Sequence, residues 1–253
     1  MDIQGKNQKK YIGGLKAPLL ACLLFTAAGL QADTINWTFD TGAEACPAGG
    51  SSTCNGEAVF SYTPGAQSFT ITLNNLLTDL NNAGQLVTDV QFTTSLPGIS
   101  LAGSSGTPVS FNGSAAPTVG SAIPTGWNAG NISTNTWLLC VICTDGVTAS
   151  ATPSEGIIPV ESTYNVNGSI EQSNSHNPFL ESGATFTFST SSDLPLNVST
   201  NPFSDVFISF GTTFAEVPAG VDPSTPEPLT PLLAGAGLIM LALTARRRKK
   251  NKA

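Results

Sequence analysis

Few side chains in this sequence could do covalent chemistry, and each lacks the neighbours that chemistry needs. His176 is the only histidine and sits in the polar stretch Gln172-Ser-Asn-Ser-His-Asn-Pro178. A serine or cysteine hydrolase would have to take its base from this ring. No Gly-x-Ser-x-Gly elbow accompanies it, so it reads as a surface residue of a loop. Cys140-Val-Ile-Cys143 has the spacing of a redox pair. Such pairs sit at a helix N-terminus that lowers a thiol pKa, whereas this one follows the apolar Trp137-Leu-Leu on a strand pattern. Zinc would need a second ligand pair, and Cys46 and Cys54 are poorly spaced for one. Two carboxylates could serve a glycosidase, but nothing singles out two among the acids. The sequence assigns no catalytic residue and no metal ligand.

Cys46, Cys54, Cys140 and Cys143 are instead read as disulfide candidates, an even number suited to an oxidising compartment. Cys46-Pro-Ala-Gly-Gly-Ser-Ser-Thr-Cys54 is a turn-forming loop whose closure would stabilise by about 2–3 kcal/mol in the chain-entropy model. The second pair fits less easily. On one continuous strand Cys140 and Cys143 would lie about 10 Å apart and on opposite faces. Either the strand breaks at Val141-Ile142, or each cysteine pairs with one of the first loop. Local pairing is the expectation.

Charge is partitioned along the chain. All ten basic residues lie at the ends: Lys6, Lys9, Lys10 and Lys16, then Arg246, Arg247, Arg248, Lys249, Lys250 and Lys252. Removing Asp2 and Glu227 from the 17 acids leaves 15 between Asp33 and Thr225, so the interior carries a formal charge near −15. Such an interior cannot neutralise phosphates, which excludes nucleic acid as a partner. It can form no Lys or Arg salt bridge, so apolar burial, backbone hydrogen bonds and crosslinks must hold it. Basic ends beside apolar runs fit a chain whose ends stay inside while its middle is translocated.

The N-terminal run from Ala17 to Leu30, preceded by lysines and followed by Gln31-Ala32-Asp33, has the three regions of a secretory signal peptide. Cleavage between Ala32 and Asp33 is expected, so Cys22 leaves with the signal helix. The C-terminal end reads Thr225-Pro-Glu-Pro, an uncharged run from Leu229 to Ala245, and the basic cluster Arg246 to Lys250. As a helix the run would span about 26 Å, slightly less than a bilayer's hydrocarbon core. The basic residues would hold its far end in the cytoplasm. Pro226 and Pro228 keep Glu227 in an extended segment, because proline lacks an N–H and disfavours helix.

With Pro226, Glu227 and Pro228, the span 229–245 and the Arg-rich end 246–252, the tail resembles that of the PEP-CTERM proteins of Gram-negative bacteria. The resemblance covers only the last 30 or so residues and the plan of signal, ectodomain and tail. It implies recognition by an exosortase, a membrane-embedded transpeptidase-like enzyme, in bacteria that usually make extracellular polysaccharide. Secretion machinery, signal peptidase and, before processing, the membrane are the other partners implied.

Between the ends, short alternating segments are punctuated by Gly, Pro, Ser, Thr and Asn. Strands are expected at Thr34–Phe39, Ala58–Thr63, Ser68–Leu73, Val87–Thr94, Pro108–Phe111, Trp137–Ile142, Thr163–Ile170, Thr185–Ser189 and Asp205–Phe210. Ser68-Phe-Thr-Ile-Thr-Leu73 and Thr185-Phe-Thr-Phe-Ser189 keep the strict period of two of a half-buried strand. One short helix is expected over Leu76–Ala83, and Pro97 to Ser133 reads as long loops. The fold class is all-β, an antiparallel β-sandwich of jelly-roll or Ig-like type over 33–214, with signal 1–32, linker 215–225 and sorting tail 226–253. The expected role is that of a non-enzymatic protein of the cell surface or extracellular matrix, linked to exopolysaccharide or biofilm. No cofactor is assigned, and calcium is the one cation the acidic surface could take up. Alternatives are a carbohydrate-binding module, using calcium or the tryptophans Trp37, Trp127 and Trp137, and a secreted hydrolase. Trp37 and Trp137 fall on strand patterns and read as core.

Overall fold

Period-two alternation becomes strand after strand in a computed structural model, which describes residues 34–46, 52–111, 117–144, 146–148, 154–161, 164, 170, 176–197, 199–212 and 216–222. The signal segment, Ala32 and Asp33, the motif Pro226-Glu227-Pro228, the span 229–245 and the basic end lie outside the described residues. Among the described residues, no helix is long and apolar enough to cross a membrane.

The strands are β1 (Ile35–Asp40), β2 (Glu44–Ala45), β3 (Thr53–Cys54), β4 (Gly56–Tyr62), β5 (Ser68–Asn75), β6 (Val87–Thr94), β7 (Ser100–Ser110) and β8 (Thr118–Val119). They continue as β9 (Asn128–Ser133), β10 (Thr136–Cys140), β11 (Ile157–Ile158), β12 (Phe179–Ser189), β13 (Phe203–Phe210), β14 (Glu216–Pro218) and β15 (Gly220–Asp222). The protein is all-β. β2 and β3 form a small hairpin, and the other 13 strands share one largely antiparallel sheet.

That sheet folds back on itself, an arrangement consistent with a β-sandwich. One leaf runs β8-β7-β12-β5-β4-β1, the other β9-β10-β6-β13. Alternate residues of each leaf point inward. Phe60 of β4 meets Phe92 of β6 edge-on at 5.3 Å and Phe203 of β13 at 4.5 Å, although β4 pairs with neither strand. Phe69 stacks on Phe188 at 5.0 Å beside them. A second, smaller core gathers Leu80, Leu86, Phe111, Ile158, Tyr164 and Phe179.

Two seams join the leaves. The short β11 pairs with β6 through Ile157–Val87 and runs parallel to the start of β12. β12 then turns from β11 to β5 through Ser182, whose φ is 66°, and Gly183. A Cβ at Gly183 would stand 2.6 Å from the Leu73 carbonyl oxygen, so the changeover tolerates only glycine. The second seam is the segment 216–222. β14 pairs with β13, and β15, one residue later, pairs with β1. This segment was expected to be a linker. It is a strap across both open edges, with Val217 buried in the main core.

Three other expectations change. The helix over Leu76–Ala83 is absent: Leu77 N–H is bound by the Asn75 side chain, Leu80 N–H by Glu161, and Asn81 N–H by Gln85. Side chains have taken the amides a helix would use, and only a single 3-10 turn follows at Ala83–Gln85, capped by Asn82. The stretch Pro97 to Ser133, expected as long loops apart from a strand at Pro108–Phe111, contains the whole of β7, which pairs along β12. Its glycines admit close packing, since Gly106 lies under Leu180. Of the strand expected at Thr163–Ile170, only Tyr164 and Ile170 are described; both are buried and neither is in a strand.

Candidate functional site: a hydroxyl-lined sheet face

The chemistry-bearing residues are scattered through the fold. Cys46 and Cys54 are joined across the β2–β3 hairpin, Cα atoms 5.0 Å apart, with Cys46 N–H donating to the Ser52 carbonyl. Cys140 and Cys143 are joined locally too. β10 stops at Cys140, and Val141 and Ile142 bend, bringing the Cα atoms to 5.2 Å. The break at Val141-Ile142 is therefore what reconciles that spacing with a disulfide.

His176 is half-buried beside Asn177, and its Nδ1 is enclosed without a hydrogen-bond partner. Among the described residues no carboxylate orients the ring through that nitrogen, as a catalytic base requires. Glu161 receives the Leu80 N–H at 2.8 Å. Burial pushes its carboxyl above the usual range; the Leu80 N–H opposes this, and the negative charge of Asp79 adds to it. The neighbouring Tyr164 hydroxyl donates to the Pro159 carbonyl at 2.8 Å and accepts from Glu161 N–H at 3.2 Å. Burial pushes this phenol up to about 12, more than the Glu161 N–H can offset, with the charges of Glu181 and Glu161 adding to the shift. These groups fasten one loop. Among the described residues, no three His, Cys, Asp or Glu side chains come together as metal ligands, so calcium has no assigned residues.

The tryptophans differ from expectation in order of burial. Trp127, the one outside the strand patterns, is 3% exposed. Its indole N–H donates to the Glu155 carbonyl at 2.9 Å and its ring leans on Phe186 at 5.0 Å. Trp37 and Trp137 are half-buried against the main core.

Pairing register assembles a different surface. On the outer face of the larger leaf, Thr38, Val59, Thr72, Thr185 and Ser105 stand directly opposite one another across β1, β4, β5, β12 and β7. Two residues along, Asn36, Ser61, Thr70, Thr187 and Gly103 form the next row. Ser68, Ser189 and Ser100 form a third. Strand geometry spaces such residues about 4.8 Å across the sheet and about 7 Å along it. The hydroxyls interact sideways: Thr72 Oγ1 lies 3.3 Å from Thr185 Oγ1, and Ser100 Oγ 2.8 Å from Ser189 Oγ. Within the rows charge appears at the opposite end, where Asp40, Glu57, Asn74 and Gly183 align and Asn74 donates to Glu57; beyond the Ser68 row the loop carboxylate of Asp193 accepts from Gln67. At the Ser68–Ser189 end a hollow of about 200 Å³ is lined by Tyr62, Ala66 and Phe69 as well as by Ser61, Ser68 and Thr70.

A larger groove of about 670 Å³ lies beside the disulfide hairpin, between Ser52–Asn55 and Leu76–Asn81. Asn55 Oδ1 has no partner there, but it is sealed beneath the surface. The period-two threonines are visible in the sequence but the face is not, because which rows align depends on partners over a hundred residues apart. A comparison with protein-family models finds no match, and none is found among curated proteins or solved structures.

Proposed function

We propose that this chain is an exported, non-enzymatic protein of the cell surface or extracellular matrix, sorted through its C-terminal tail by an exosortase-type enzyme. The observation that carries this reading is a body closed by two local disulfides, set between basic ends that flank apolar runs. Disulfides persist in oxidising compartments, and confinement of every cation to the ends fits inward-held termini. In this reading signal peptidase cuts between Ala32 and Asp33, and the span 229–245 anchors the precursor in the membrane with Arg246 to Lys250 as its cytoplasmic stop. The exported body is a β-sandwich of jelly-roll or Ig-like kind.

The strap ends at Asp222 and the motif begins at Pro226. Four steps of extended chain reach at most about 14 Å, so the processing enzyme works close against the folded body. Changing Pro226-Glu227-Pro228 to three alanines tests the reading. The variant is expected to stay in the membrane fraction unprocessed, while the unaltered chain is released to the surface. Normal processing and release of the triple-alanine variant would overturn sorting through this motif.

A further inference from the structure

The outer face of β1-β4-β5-β12-β7, uncharged in its three hydroxyl rows, has no role in holding the two leaves together, since its side chains point away from both cores. Its composition excludes most kinds of partner. Protein interfaces are anchored by buried aromatic and apolar groups, and Val59 is the one apolar side chain in the two longer rows. Nucleic acid, anionic polymers and membrane surfaces need basic residues, and the body has none. The face does offer rows of neutral hydroxyls on a rigid sheet. Each Ser or Thr hydroxyl has one donor and two acceptor positions and can rotate to present either. A polymer of neutral sugars offers the same mixture of donors and acceptors at short, regular intervals. Single contacts of this kind contribute little, but strands already fixed in place need no further ordering, and a repeating polymer engages many at once. The hollow at one end, where Tyr62, Ala66 and Phe69 lie beside Ser61, Ser68 and Thr70, gives the face an apolar floor rimmed by hydroxyls.

We infer that this face, with the Thr70–Thr187 row at its centre and the Ser61/Ser68/Thr70 hollow at one end, is a docking surface for a neutral polysaccharide. The inference rests on the proposed surface location and gives that reading a partner. Binding requires no metal and no bond cleavage.

The test uses the full chain in mild detergent, measured for retention on microcrystalline cellulose and on galactomannan gel, with alginate gel as the anionic comparison. Retention on at least one neutral polymer, unchanged by EDTA and absent on alginate, is expected. Thr70→Val with Thr187→Val keeps strand propensity and shape while removing two hydroxyls, and should weaken retention about tenfold. Ser61→Asp should abolish it. Thr136→Val, on β10 of the other leaf, should leave it unchanged, and circular dichroism should show all variants folded. Retention on neither neutral polymer, or retention indifferent to both face variants, would overturn the inference. So would adsorption to ice crystals alone, which would assign the hydroxyl rows to a water lattice, or face-to-face pairing of two copies that Ser61→Asp disrupts. Protease accessibility of the body on spheroplasts is a separate readout, so loss of binding with an exposed body sinks the docking surface and spares the proposed location.

Discussion

Phe60 and Phe92 stand edge to face at 5.3 Å, and through this pair one leaf of the sheet grips the other. Neither strand hydrogen-bonds to the other, so side-chain packing holds them. Phe92 also touches Phe69, Phe188 and Phe203. Phe92→Ala is expected to cost about 3–5 kcal/mol by leaving a cavity the crowded rings cannot fill. Denaturant unfolding of the variant measures it, and a loss under 1 kcal/mol would mean the leaves are held elsewhere.

The disulfides should differ in weight. Closing nine residues between Cys46 and Cys54 restricts the unfolded chain more than closing four between Cys140 and Cys143. The chain-entropy relation gives about 2.6 and about 1.9 kcal/mol. Paired alanine substitutions at each bridge, compared by denaturant midpoint, should therefore rank the hairpin bridge first.

Tyr164 sets an alkaline limit. Its phenol titrates near 10 in the unfolded chain and at about 12 in the folded one. The folded state thus holds a proton the unfolded state has released. Stability from this group is intact below pH 10 and is lost as pH rises toward 12. Tyr164→Phe should flatten the pH 10–12 slope of stability. At pH 7 it should cost about 1–2 kcal/mol, because the Glu161 N–H and the Pro159 carbonyl both lose a partner.

Glu161 should act at the other end of the pH scale. Its carboxyl is pushed up by burial and by Asp79, so folding favours the protonated form. Its contribution is best below the ordinary glutamate pKa and declines as pH rises through the raised folded value. Glu161→Gln retains an acceptor for Leu80 N–H and should remove this decline, read as a flatter stability profile above the ordinary glutamate pKa.

The strap predicts a sharp limit to truncation. Ending the chain after Asp222 should leave the melting transition unchanged. Ending it after Thr212 removes β14 and β15, exposes the edges of β13 and β1, and should yield aggregates. Light scattering on the two products distinguishes them.

What could be read from the sequence followed from local signals. Ser68 opens β5 as expected, because alternating Phe69, Ile71 and Leu73 record burial residue by residue; Val87–Thr94 has the same limits in structure as in pattern, although its first four residues are all buried. Of β7 only the end was legible, in the strand expected at Pro108–Phe111; Ser100 to Thr107 were hidden by their glycines and serines, which pair well only because β12 and the side chain of Leu180 lie against them. The strap was hidden by Pro218 and Gly220, since its two three-residue strands depend on partners already folded. The helix over Leu76–Ala83 was a false lead, overridden by three side chains that capture its amides. The threonines of the hydroxyl face were plain in sequence, whereas their alignment into rows comes only with the strand order.

The most direct measurement is protease treatment of intact spheroplasts, followed with antibodies to the body and to the extreme termini. The account predicts that the body, residues 34–222, is digested while the basic C-terminal end stays protected until the membrane is breached. A body that survives while the termini are clipped would contradict it.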